Sequence, residues 1–157
     1  MEGGIYLLLG SNLGDRLDHL KEARERLGGV VKSSHVYATA AWGNTEQPEF
    51  YNQVIEIKTD LLPGELLEKI LRAEKEIGRI RAEKWGPRII DIDILFYRDL
   101  IVKKPDLVIP HPEIQNRRFT LAPLAELTNL THPVLRKTIS QLLEECNDPL
   151  QVRRLQH

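Results

Sequence analysis

Cysteine is almost absent. Cys146 stands alone in a chain of 157 residues, so no internal disulfide framework is possible, and the composition fits a reducing cytoplasm. Its side chain reads as a small hydrophobe on a helix face rather than a nucleophile. The five histidines and this cysteine show no zinc-ligand spacing. Charge of one sign is missing too: 22 Lys and Arg against 23 Asp and Glu leave a net charge of −1. That balance offers no bulk attraction for nucleic acid or a membrane surface. The apolar run within "MEGGIYLLLGSNLGDR" is too short for a secretory core or a membrane span. Neither an internal repeat nor a low-complexity segment occurs. What is present, 41% hydrophobic and 29% charged residues, suits a single globular domain over residues 1–157.

Punctuation by Gly and Pro divides the chain. "GIYLLLG" is a short apolar run ending at Gly10, a buried strand. In "SNLGDRLDHLKEARERLGG", Leu13, Leu17, Leu20, Ala23 and Leu27 recur at helical spacing before a Gly28-Gly29 stop. "VVKSSHVYAT" and "YNQVIEIKT" read as strands, separated by the loop "AAWGNTEQPEF". "LLPGELLEKILRAEKEIG" reads as a helix with Pro63 in its first turn and Gly78 past its end. A loop, "RIRAEKWGP", leads to one more strand. The order β-α-β-β-α-β is the split βαβ arrangement of ferredoxin-like folds, so the expected class is α+β with a mainly antiparallel sheet covered by helices. "FYRDLIV" is expected to turn into an extra strand or hairpin, and helical stretches are expected around "QNRRFTLAPLAEL" and "VLRKTISQLLEECN".

The last core strand, "RIIDIDILFY", carries two aspartates in an apolar run. Strand alternation puts Ile90, Ile92, Ile94 and Phe96 on one face and Ile89, Asp91, Asp93, Leu95 and Tyr97 on the other. The two carboxylates then point the same way, with Cα atoms roughly 6–7 Å apart. Like charges this close oppose each other's ionisation unless a cation compensates. They serve either as charge that blunts an edge strand or as a divalent-metal site.

Just before this strand, "GRIRAEKWGPR" supplies Arg79, Arg81, Lys84 and Arg88. Mixed charge of this kind is either a self-neutralising surface or a polyphosphate site. Arginine forks suit phosphate oxygens, and Mg²⁺ binds through one or two carboxylates plus substrate phosphates. Trp85 is either an anchor for the loop or a mobile cover for a ring-shaped ligand. The aromatic-rich loop "TAAWGNTEQPEFYN" adds Trp42, Phe50 and Tyr51, with Asn52 as an amide donor and acceptor; it packs a long loop or receives a planar heterocycle. "GSNLGD" is not a phosphate-binding glycine motif, and Asn12 fixes the turn or braces a neighbouring loop. His111, between prolines in "IPHPEIQNRRF", is structural or, with Arg117, meets a phosphate. Glu74 shares a helix face with Ile70 and Ile77 and reads as a buried acceptor bracing the basic loop.

Taken together, "GSNLGDR", "EQPEFYN", "KWGPRIIDIDIL", "IPHP" and "NRRF" resemble the 6-hydroxymethyl-7,8-dihydropterin pyrophosphokinases of folate biosynthesis, in unbroken order from about Ile5 to Leu127. The resemblance implies transfer of pyrophosphate from ATP to the pterin hydroxymethyl group by a monomeric enzyme, with AMP released. By that resemblance Asp91 and Asp93 hold two Mg²⁺, and Arg79 and Arg88 join them in catalysis. Arg81, Arg88, Ile94, His111 and Arg117 bind ATP. The pterin lies between Phe50 and Phe119, read by Asn52 and by Thr39, Ala40, Trp42 and Gly43, with Trp85 closing over it. Ala41 stands where members commonly have proline, and Lys84 where arginine is frequent. Pro112 and Arg118 occupy positions that vary. The readings left beside this one are another Mg²⁺-dependent nucleotide transferase and a small-molecule sensor domain.

Overall fold

The structure is a computed structural model that describes residues 3–40, 48–78 and 89–156. Its centre is β1, Ile5–Ser11, buried along its whole length. It pairs antiparallel with β4, Phe50–Ile57, on one side and with β5, Asp91–Tyr97, on the other. A central strand covered on both faces needs apolar residues at every position, which accounts for the uninterrupted Leu7-Leu8-Leu9. The sheet continues beyond β4 through β2, Val30–Ser33, and β3, Tyr37–Thr39. The single strand expected from "VVKSSHVYAT" is thus two pieces. Between them Ser34 turns inward, its hydroxyl accepting from Val54 N at 3.0 Å and donating to His35 O at 2.7 Å.

Helices cover both faces. On one, α1 (Arg16–Leu27) and α2 (Pro63–Ile77) pack Leu20, Ala23, Leu27, Leu66, Ile70 and Ala73 against Ile5, Leu7, Leu9 and Ile55. Asp15 caps α1 by accepting from Asp18 N at 3.1 Å. Leu13 lies ahead of the helix, and it and Leu17 are exposed, at 42% and 44%. Helical spacing identifies a stripe but not how far the neighbouring layer extends, and here burial begins one turn later, at Leu20. α2 has Pro63 in its first position and ends at Gly78, as the spacing implies, and the φ of 114° there is left-handed. On the other face, α3 (Arg118–Leu127) and α4 (Ile139–Glu145) pack Leu121, Leu124, Ile139 and Leu142 against Tyr6, Leu8, Val54 and Phe96. The expected helix over "VLRKT" is a turn, and α4 starts only after Thr138, which caps it.

β5 departs from simple alternation. Tyr6 stands opposite Phe96 while Leu7 stands opposite Ile94, so Leu95 is an extra residue, a β-bulge. Past the bulge the faces exchange. Phe96 joins the α3/α4 cluster rather than sharing a face with Ile94, and Tyr97 joins the α1/α2 cluster, its hydroxyl donating to Leu61 O. Asp91 and Asp93 precede the bulge, and their common face stands as the alternation put it. The extra hairpin is β6 (Val102–Lys104) with β7 (Leu107–Ile109), begun by a turn at Arg98 with φ of 57°. A last strand that local pattern did not indicate, β8 (Val152–Arg154), adds to β3. The sheet order β5-β1-β4-β3-β8, with its antiparallel pairs, is the ferredoxin-like arrangement extended by one strand.

Candidate functional site

Register alone assembles a row of side chains. Asp91 pairs with Gly10, Gly10 with Asn52, and Asn52 with Tyr37, across four strands. Residues directly opposite share a face, so Asp91 and Asn52 stand two strand spacings apart, about 10 Å. Gly10 between them contributes no side chain. A Cβ there would lie 2.6 Å from Asn52 Oδ1, too close for any other residue unless the amide moved. Local pattern ends the first strand at Gly10, whereas β1 runs on through Ser11. The role of Gly10 as the space beside Asn52 depends on which residue stands opposite, which no local pattern contains.

Phe50 lies two residues before Asn52 on the same face, opposite Thr39. Thr39 is buried, and its hydroxyl has no hydrogen-bond partner among the described residues. A buried hydroxyl without a partner is costly, and it marks a place where a ligand's polar edge is the natural complement. Asn52 is likewise buried, whereas Ala40 is exposed. Asn12 is fully buried and donates from Nδ2 to Pro48 O at 3.4 Å, bracing the segment that leads to Phe50, one of the two roles read for it. Arg16 supports the same segment, donating to Glu49 O at 2.7 Å and lying 3.7 Å over the Tyr51 ring.

At the other end of the row, β5 is the outermost strand of the sheet, so the edge-strand position is real. Its outward N–H at Ile92, between the two aspartates, donates to Glu74 Oε2 at 2.8 Å. Glu74 is 4% exposed and accepts from the strand that carries Asp91 and Asp93; the basic loop that it is expected to brace lies outside the described residues. Both aspartates are half-buried. Ile94 packs into the α1/α2 cluster on the opposite face, so its side chain is not brought to them.

His111 reaches the aspartate face from the chain after β7. Its backbone N–H donates to Leu95 O at 3.0 Å, and its Nδ1 accepts from Glu113 N at 3.1 Å, which assigns the ring proton to Nε2. Burial holds its pKa below the ordinary histidine value; Arg117 pushes the same way, while Asp93 and Glu113 oppose both. The ring is therefore a neutral N–H donor in the field of Asp93. Arg117 is the N-cap residue of α3, without a side-chain cap hydrogen bond, and lies 5.6 Å over the ring of Phe119. From there α3 crosses the sheet to β3, where Glu126 accepts from Tyr37 Oη at 2.6 Å and from His35 N at 3.1 Å. Burial and then that contact push the Tyr37 phenol up to about 12.

Among the described residues no group of three or more His, Cys, Asp or Glu gathers, and no helix is long and apolar enough to cross a membrane. Two carboxylates alone suit a hard cation that takes its other ligands from phosphates and water, as Mg²⁺ does, rather than a metal needing a full protein cage. Arg79, Arg81, Lys84, Trp85 and Arg88, with Ala41, Trp42 and Gly43, lie outside the described residues.

The fold and this face define an α+β protein of the ferredoxin-like type, with an aspartate pair and an amide on one sheet face and His111 and Arg117 beside Asp93. The chain belongs to the 7,8-dihydro-6-hydroxymethylpterin-pyrophosphokinase family, whose model matches residues 6–129. It is 46% identical over 145 residues to the 2-amino-4-hydroxy-6-hydroxymethyldihydropteridine pyrophosphokinase of Aquifex aeolicus, covering 90% of this chain and 91% of that one. The Synechocystis protein of the same name is 40% identical, over 90% of this chain and 75% of its own. Among solved structures, wild-type Plasmodium falciparum HPPK-DHPS with pteroate superposes with a TM-score of 0.70 at 19% identity. That match covers 92% of this chain and 43% of that chain, and it establishes the fold.

Proposed function

We propose that this protein transfers pyrophosphate from ATP to the hydroxymethyl group of 6-hydroxymethyl-7,8-dihydropterin in folate biosynthesis, releasing AMP, with Asp91 and Asp93 as ligands for two Mg²⁺. The observation that carries the reading is the row Asp91–Gly10–Asn52, which sets a carboxylate pair and a buried amide on one face, with Gly10 between them leaving room for the Asn52 side chain. Mg²⁺ bound at the aspartates would neutralise charge on the triphosphate oxygens. Neutral His111 donates its Nε2 proton to a phosphate oxygen, and Arg117 supplies a fixed cation beside it. Asn52 and the Thr39 hydroxyl read the polar edge of the pterin, while Phe50 and Phe119 take its faces. Arg79, Arg81 and Arg88 add phosphate contacts, Trp42, Gly43 and Ala40 line the pterin side, and Trp85 covers it.

Displacement occurs at the β-phosphorus: the hydroxyl oxygen bonds to it and gives up its proton to solvent, as the bond from phosphorus to the α,β-bridging oxygen breaks and AMP leaves with that oxygen. No covalent enzyme intermediate is required, because positioning and charge neutralisation supply most of the acceleration. The reading includes a cytoplasmic monomer acting on small molecules; the lone cysteine fits a reducing compartment, and the net charge of −1 offers no bulk attraction for nucleic acid. Incubating the protein with ATP and the dihydropterin, with and without Mg²⁺, tests it. AMP and a pterin diphosphate should form only with the metal; ADP as product, or turnover unaffected by chelation, would reject it.

A further inference from the structure

The segment after α4 runs from one side of the candidate site to the other, and its first contacts are with α3. That helix begins at Arg118 with Arg117 as its N-cap residue, a cation that has no side-chain acceptor to offer. Its earliest N–H groups consequently lack partners within the helix. Asp148, which lies 30 residues further along the chain, supplies one: its Oδ2 accepts from Arg118 N at 3.0 Å. The Arg118 guanidinium reaches the same segment, donating to Asp148 O and, at 2.9 Å, to Cys146 O. Asp148 Oδ1 accepts from Leu150 N at 2.9 Å, so both carboxylate oxygens are engaged. The chain then forms β8 along β3 as far as Thr39, and Arg153 pairs with Glu49 at 3.0 Å.

With Arg118 turned to this segment, helix geometry sends Phe119 about 100° around the axis. Arg117, on the other side of the same fixed residue, lies over the Phe119 ring. We propose that Asp148 is a positioning residue for the pyrophosphoryl transfer: by capping α3 from outside the helix, it sets where Arg117 meets the triphosphate and where Phe119 meets the ring. This rests on the assignment of Arg117 and Phe119 to the substrates in the proposed function. A carboxylate at a helix N-terminus also complements the helix dipole, so the cap holds without any covalent or core contact. Asp148 and Arg118 are half-buried and belong to neither apolar cluster, so the clamp acts on orientation more than on the core.

The test compares Asp148→Ala, Asp148→Asn and Lys137→Ala with the wild type. Lys137 makes an exposed pair with Glu145 on α4 and serves as the control. For each protein, kcat, the KM for ATP and for the dihydropterin, and amide exchange over residues 118–121 are measured. Asp148→Ala should raise both KM values about tenfold, with faster exchange in the first turn of α3. Asp148→Asn, whose side-chain carbonyl still accepts from Arg118 N, should recover most of the loss, and Lys137→Ala should match the wild type. Unaltered KM values in Asp148→Ala, unaltered exchange, or an equal KM rise in Lys137→Ala would overturn the positioning role. Should Asp148→Ala not fold, Arg118→Lys carries the test. It keeps the backbone N–H that Asp148 caps and loses only the fork on the two carbonyls, so both KM values should stay within about twofold of the wild type, and a tenfold rise would assign the orientation to the guanidinium instead and overturn the proposal. A wild type that forms no AMP would instead overturn the proposed function itself.

Discussion

The two faces of the sheet use the same strands for different ends. Toward α1 and α2, β1 and β5 send Ile5, Leu7, Leu9, Ile92 and Ile94, with Ile90 just ahead of β5 and Tyr97 beyond the bulge, into an apolar layer that ends at Ser11 against His19 of α1. Toward α3 and α4, the apolar layer is confined to Tyr6, Leu8, Val54, Leu95 and Phe96, and the end of the face is given over to Asp91, Gly10 and Asn52. Close packing on one face leaves the other free to carry carboxylates and buried amides that contribute little to stability. The difference also explains why one strand can bear both: alternation separates the two duties residue by residue.

The largest effect should come from the polar face. Asp91→Ala or Asp93→Ala should each lower AMP formation about a thousandfold or more, because each removes a metal ligand. The thermal midpoint should stay near that of the wild type, since removing one of two neighbouring carboxylates relieves repulsion in the metal-free protein. A large drop in melting temperature with activity retained would assign the pair to structure. Next in size, Ile70→Ala on the apolar face should cost about 2–5 kcal/mol in a denaturant titration. The KM values of the molecules still folded should not move; a selective KM change would mean that the faces are coupled.

Gly10→Ala sharpens the contrast at the boundary between the faces. The new methyl meets Asn52 Oδ1, so the amide must turn. The KM for the dihydropterin should rise roughly tenfold, in keeping with a misplaced specificity group, while the KM for ATP changes little. Equal changes in both would show that Gly10 serves the whole face.

The smallest effect is one of pH, at the rim of the α3/α4 face. His132 is buried, its Nδ1 accepts from Val134 N at 3.1 Å and Leu135 N at 3.0 Å, and its ring meets Phe96 edge-on. Burial lowers its pKa, so the folded state holds it neutral. The unfolded chain then takes up its proton first as pH falls below about 6.5, and stability declines from there through the lower folded pKa. Melting curves between pH 7.5 and 5 should show this decline. His132→Gln should flatten it, and an unchanged slope in that variant would place the acid sensitivity elsewhere, His111 being the other histidine held neutral.

Much of the site was legible because it is local. The common direction of Asp91 and Asp93 follows from strand alternation over three residues, and Gly78 announces the end of α2. Glu74 could be read as buried from its helix face, but not that it would accept from Ile92 N, because that bond joins residues 18 apart. Leu17 shows the limit of spacing. It lies in α1 as its spacing implies, yet it is 44% exposed among the described residues, because spacing carries no information about the reach of the adjoining layer.

By itself the sequence determined the alternation of elements, the direction of the aspartate pair and, through its ordered motifs, the family. These depend on short-range geometry, in which each residue's face follows from its neighbours. Only the tertiary structure decided that a bulge at Leu95 exchanges the faces of Phe96 and Tyr97, that Gly10 stands between Asp91 and Asn52, and that Asp148 caps α3 from beyond α4. Each arises where segments far apart in the chain meet. The partner across a sheet or at a helix end is set by the packing of the whole fold, and no periodicity within either segment records it.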